Sequence, residues 1–178
     1  MLSKQLDVLA QSRLSAETWL LEEAERLPIT RRLATAPGIG EIRAALMVAI
    51  VVTPGRFRSS RQFWSYSGLG IVTRSSSDWV RDSRGGWARK PTTQTRGLNY
   101  NRHPELKAIF KGAATTIILQ MPAHRLHRDY QRSLDAGIKP NLAKLTLARR
   151  IASIVLAMWK HQEDYDPSKH AARNPSSQ

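Results

Sequence analysis

The chain has 178 residues, with 28 lysines and arginines against 14 aspartates and glutamates, and no cysteine. A net charge of +14 points to a polyanionic partner, nucleic acid first, and the absence of thiols excludes disulfides, thiolate metal sites and cysteine nucleophiles. No apolar run approaches membrane-spanning length and the charged N-terminus lacks a signal-peptide core, so a cytoplasmic protein with no membrane partner is expected.

Residues 1–27 form a helical arm. Leu2, Leu6, Leu9, Arg13, Ala16, Leu20, Glu23 and Leu27 fall at alternating spacings of four and three, a heptad seam with two charged interruptions. Two readings fit: a coiled-coil arm that builds a homo-oligomer, and an amphipathic helix packed on its own domain. Pro28 stops the arm and opens the main domain, residues 28–162. Its first unit centres on Pro37, Gly38, Ile39 and Gly40, flanked by the apolar positions Leu33, Ala36, Ala44 and Val48. This resembles a helix-hairpin-helix, whose turn amides meet a nucleic-acid backbone at the positive end of a helix dipole. A plain helical corner is the other reading. Ser60 to Ser67 then reads as a short helix carrying Phe63, Trp64 and Tyr66.

Gly68 to Lys111 is the basic centre of the chain. Ser75, Ser76 and Ser77 stand in a row before Asp78, and Arg74, Arg81, Arg84, Arg89, Lys90, Arg96, Arg102, Lys107 and Lys111 surround them. From Arg56 to Lys111 there are twelve basic residues and three acidic ones. Cations neutralise phosphate, and a deprotonated hydroxyl can attack phosphorus, so this pattern suits phosphate chemistry as well as a solvated basic loop. Strand-like composition at 71–73, 78–81 and 87–90, with a turn at Ser83 to Gly86, predicts a small β-hairpin.

Three helices follow. Pro104 to Gln120 buries Leu106, Ile109, Phe110, Ala113, Ile117 and Ile118, with Glu105 complementing its dipole. Ala123 to Ala136 ends at Gly137. It carries His124 and His127, read as surface residues because no third ligand stands at helical spacing, so no metal site is expected. Asn141 to His161 presents an apolar stripe of Leu142, Leu145, Ala148, Ile151, Ala152, Val155 and Met158, with Lys144 and Arg150 off it. Residues 163–178 are polar and expected to be disordered. The fold class is therefore mainly α: a helical domain with a helix-hairpin-helix and a small β-hairpin, preceded by a long coiled-coil-like helix.

LATAPGIGEIRAALMVAIV, the pair Arg56-Phe57, and FWSYSGLGIVTRSS, in that order, resemble the C-terminal domain of the insertion-sequence one-ten family of transposases, relatives of the Piv-type DNA invertases. The likeness runs from about residue 30 to Tyr165-Asp166. It implies a DNA-binding domain that supplies a serine nucleophile for transposition or site-specific recombination. In that family a RuvC-like domain holds acidic ligands for Mg2+, a coiled coil joins the two domains, and some members use a structured guide RNA. The family's serine lies eight residues after the glycine of a Gly-Leu pair, which from Gly68-Leu69 is Ser76. Arg96-Gly97, Asn99 and Leu106-Lys107 resemble later family positions. Ser77 stands where the family has glycine and Ile71 where it has proline, so Ser75 and Ser77 remain alternatives.

The acidic domain has no counterpart in residues 1–178, so the chain is expected to be a fragment of such an enzyme, inactive alone and holding no cofactor itself. The alternative is a non-catalytic helix-hairpin-helix module that binds DNA or RNA.

Overall fold

A computed structural model of the chain describes residues 2–75, 79–81, 83, 85–89, 93–98 and 102–169, with backbone alone at 2–3, 72–75, 79–80, 88–89 and 93–96. Among these residues seven α-helices carry most of the chain, and two short antiparallel strand pairs lie in sequence between the fourth and fifth. The fold is mainly α, as the sequence predicts.

The central element is α7 (Pro140–His161), flanked by α2 (Pro28–Ala34), α4 (Ser60–Tyr66), α5 (Pro104–Gln120) and α6 (Arg125–Asp135). Its apolar residues bury a broad face that includes Ala143, Leu147, Ile151, Ile154, Val155 and Met158. One expectation fails at its first turn. Leu142 is exposed and Leu145 only half-buried, because the buried face there runs through Ala143 and Leu147 instead. In α5 the buried face is Leu106, Ile109, Phe110, Ala113, Ala114 and Ile117. Phe110 meets Phe63 of α4 edge-on at 5.6 Å, and Phe57 packs on Phe63 at 5.0 Å. Ser59 starts α4 by accepting the Gln62 amide, a side-chain cap.

The long α1 (Leu2–Glu25) divides in two. Residues 4–16 are exposed all round, while Leu20, Leu21 and Ala24 pack inward toward α2 and α3 (Glu41–Val51). Both readings of the arm therefore keep a part of it: the last two turns dock on the domain and the rest of the heptad seam faces water.

β1 (Ile71–Ser75) pairs with β4 (Thr93–Leu98), and β2 (Trp79–Arg81) pairs with β3 (Trp87–Arg89). The second pair is the predicted hairpin, turned where Gly85 takes a positive φ. The partner of β1 was not expected, since Thr93 to Leu98 is polar and lacks alternation.

Residues 163–169 are not the start of a disordered tail. The Tyr165 amide donates to Thr35 Oγ1 at 2.9 Å and the Tyr165 ring packs against the core, fastening this segment beside the end of α2. Residues 170–178 lie outside the described residues.

Candidate nucleic-acid interface

Two places draw on the basic and glycine-rich signals of the sequence. The first is the turn between α2 and α3. Here the Pro37 and Ile39 side chains are buried, Gly38 is half-buried, and Gly40 alone of the four is exposed. Gly38 has φ +73°, and a Cβ there would stand 2.5 Å from the Ala113 carbonyl oxygen of α5. Its glycine is thus required by close packing and by a left-handed backbone. Arg43 locks the turn, donating to Gly38 O at 2.6 Å and to Thr116 Oγ1 of α5 at 3.2 Å. What remains open to a ligand is the start of α3. No side chain caps it, so the amides of its first turn have no acceptor within the helix. Glu41 occupies that same turn, where it complements the dipole and competes with any incoming anion.

The second place is a cleft of about 790 Å³ between the β1–β4 pair, α5 and the first turns of α7. Lys107 and Lys111 enter it from α5, Lys144 and Arg149 from α7. Among the described residues none of these four cations pairs with a carboxylate, and no carboxylate lines the cleft. Burial, then the neighbouring charges of Arg102 and Lys111, lower the Lys107 pKa below its ordinary value. Burial alone lowers that of Arg149. The Arg149 Nε–H donates to Leu69 O at 2.7 Å, while its Nη2 is buried without a hydrogen-bond partner among the described residues. Four cations on one cleft, two of them partly desolvated and none with a carboxylate partner among the described residues, form an electropositive site for an anion.

β1 runs from this cleft toward the serines. Ile71 lines the cleft and Ser75 ends the strand. The start of β1 is fixed by the Gly68-Leu69-Gly70 corner. Leu69 is fully buried, its amide bonds to Trp64 O, and a Cβ on Gly68 would collide with the Arg102 side chain lying across it. His103 N donates to Tyr66 O at 2.9 Å, closing the corner from the other side.

The residues singled out in the sequence fall into groups. Lys107 and Lys111 meet in the cleft, with Arg102 close enough to act on Lys107. Arg81 is exposed on β2. Ser75, Arg74, Arg89 and Arg96 have their backbone placed in β1, β3 and β4. Ser76, Ser77, Asp78, Arg84 and Lys90 lie outside the described residues. The charge pattern of the sequence does not single out Arg149, and it gives Lys144 only as part of a basic outer edge. The signal was available: Leu142, Leu145, Arg149, Ala152 and Leu156 form a helical row in which one position is a cation.

The two histidines of α6 are a correction. His124 and His127 are half-buried and bonded, not free surface groups. His124 Nδ1 accepts the Leu126 amide at 3.2 Å and so caps α6, which leaves its proton on Nε2, facing Tyr165 Oη at 3.5 Å. The His127 Nδ1–H donates to Ile117 O at 3.3 Å.

Fold and site together define a mainly helical domain with a cationic cleft beside a serine-bearing strand. A family model described as Transposase IS116/IS110/IS902 family matches residues 30–131, from α2 into α6. The chain belongs to this transposase family. No curated protein matches it. Among the described residues no helix is long and apolar enough to cross a membrane, and no three His, Asp or Glu residues converge as metal ligands.

Proposed function

We propose that this is the serine-bearing, DNA-binding domain of a transposase acting in DNA transposition or site-specific recombination. The observation that carries the reading is the cleft. Four cations without carboxylate partners among the described residues flank β1, whose last residue opens the Ser75–Ser77 run. In this account Lys107, Lys111, Lys144 and Arg149 hold DNA phosphates and withdraw charge from them. Ser76 Oγ loses its proton, bonds to phosphorus, and displaces the sugar oxygen, which takes up a proton as it leaves. The start of α3 at Gly40 adds a backbone contact that carries no base information. The exposed turns of α1 associate with a second copy through their heptad face.

Mg2+ finds no set of ligands among the described residues. In the family resemblance its carboxylates belong to a RuvC-like domain, and no step is assigned to the metal here. The same resemblance makes a structured guide RNA a partner to test. A non-catalytic binding module is the second reading, favoured by the uncapped start of α3.

The test is a covalent-adduct assay in a complete enzyme containing this domain. Ser76→Ala is expected to abolish the protein–DNA adduct and leave DNA binding nearly intact. Loss of the adduct in Ser75→Ala or Ser77→Ala, with Ser76→Ala active, would move the nucleophile by one residue. Cleavage of supercoiled plasmid by residues 1–178 alone, lost on Ser76→Ala, would show that the domain needs no other.

A further inference from the structure

The cleft combines two chemistries. Its rim is cationic, yet its walls are aliphatic: Ile71 at the start of β1, Leu98 at the end of β4, and Ile138, Leu142 and Leu145 around the start of α7. Three of these stand in water, Ile71 at 52%, Ile138 at 41% and Leu142 at 55% exposed. A surface that only grips duplex phosphate requires cations and hydrogen-bond donors, and gains nothing from clustered exposed aliphatics. Such a cluster is stabilised by an apolar occupant that takes its area out of water. The volume, about 790 Å³, falls within the roughly 300–1,000 Å³ of pockets that enclose small ligands. The occupant must therefore be small and partly apolar, with anionic charge at its edge. It should also offer an acceptor to the buried Arg149 Nη2, which lacks one among the described residues.

We propose that the cleft receives one unpaired nucleotide of the bound DNA, its base between Ile71 and Leu142 and its flanking phosphates on Lys107, Lys111 and Lys144. This rests on the reading of the domain as DNA-binding, and it names the substrate class: DNA with a nucleotide already out of the stack. A stacked base cannot enter, and extruding one from a perfect duplex costs free energy that a pre-existing bulge, mismatch or flap does not demand. β1 would then link base capture to the serines. Ile71 and Ser75 are four residues apart, at most roughly 13 Å at the rise of a strand.

The experiment compares binding of residues 1–178 to three labelled DNAs of one sequence. They are a perfect duplex, the same duplex with one bulged nucleotide, and the bulged duplex with that nucleotide made abasic. The bulged duplex is expected to bind roughly tenfold more tightly than the perfect one, and the abasic bulge to lose most of that gain. Leu142→Ala, at an exposed position, should bring the ratio of bulged to perfect affinity close to one. Equal binding of bulged and perfect duplexes would overturn the inference while leaving DNA binding itself in place. So would a preference kept by the abasic bulge, which would assign it to backbone flexibility, or a preference untouched by Leu142→Ala. Failure to bind any of the three DNAs would overturn the DNA-binding reading as well.

Discussion

The turn between α2 and α3 and the cleft beside α7 carry the same two signals, glycine and positive charge, and use them in opposite ways. In the turn, Gly38 is a packing device: its missing side chain lets the backbone rest on the Ala113 carbonyl, and Arg43 spends its hydrogen bonds on Gly38 and Thr116. In the cleft, the cations have no carboxylate partner among the described residues, and the like charges of Arg102 and Lys111 bear on Lys107. A glycine-rich turn thus becomes scaffold, while residues scattered from Ile71 to Arg149 become the surface open to a ligand. Arg43 is tied into the fold by hydrogen bonds to a carbonyl and a hydroxyl, whereas the lysines of the cleft have no carboxylate partner among the described residues and are available to a ligand.

The largest effect that tests this contrast is on stability. Gly38→Ala would press a Cβ onto backbone at a positive φ and should destabilise by about 3 kcal/mol, a melting shift of roughly 6–12 °C. Gly40→Ala meets open space and bears only the φ strain, about 1–2 kcal/mol. Equal losses in thermal melts of the two variants would remove the packing role assigned to Gly38.

Binding should respond the other way. Lys111→Ala with Lys144→Ala is expected to lower DNA affinity and reduce the slope of log affinity against log salt by about 1.8. Its stability should stay within about 0.5 kcal/mol per site. A salt titration with an unchanged slope would mean that the cleft does not hold phosphate.

A smaller effect separates scaffold from surface by pH. Burial first, and then Arg128, place the folded His124 pKa below its ordinary 6.5. The unfolded chain therefore binds that proton more readily, so the contribution is fully present above about pH 6.5 and is lost as pH falls toward the lower folded pKa. Protonation would also remove the acceptor that caps α6. His124→Asn keeps an acceptor without titrating and should flatten this part of the pH–stability curve. An unchanged curve would sink the assignment.

The smallest change concerns the fastening next to the turn. Thr35→Val deletes the acceptor of the Tyr165 amide and should cost about 0.5–1 kcal/mol, read as a melting shift with DNA affinity unaltered.

The helices were legible because punctuation and period agree. Pro28, Pro104 and Pro140 stand at first helical positions, and Gly137 takes a positive φ just past α6. The β2–β3 hairpin was legible from its glycines. β4 was not, because Thr93 to Leu98 has strand character only through its pairing with β1. The turn showed its glycines but not their use, since the approach of Ala113 is a tertiary fact. The cleft was half visible. Lys107 and Lys111 lie in the basic stretch, but Lys144 and Arg149 belong to a helix whose pattern reads as core, and only the packing of α5 against α7 brings the four together.

The free turns of α1 have a hydrodynamic consequence. The helix has 24 residues, about 36 Å of rod at 1.5 Å per residue, and only its last turns lie against the body. Such an outrigger raises drag without adding mass. A single 20.1 kDa chain should elute from a sizing column ahead of a sphere of its weight and sediment more slowly than one. Elution volume will therefore overcount copies, and light scattering, which weighs the particle directly, is the way to count how many chains meet along the arm.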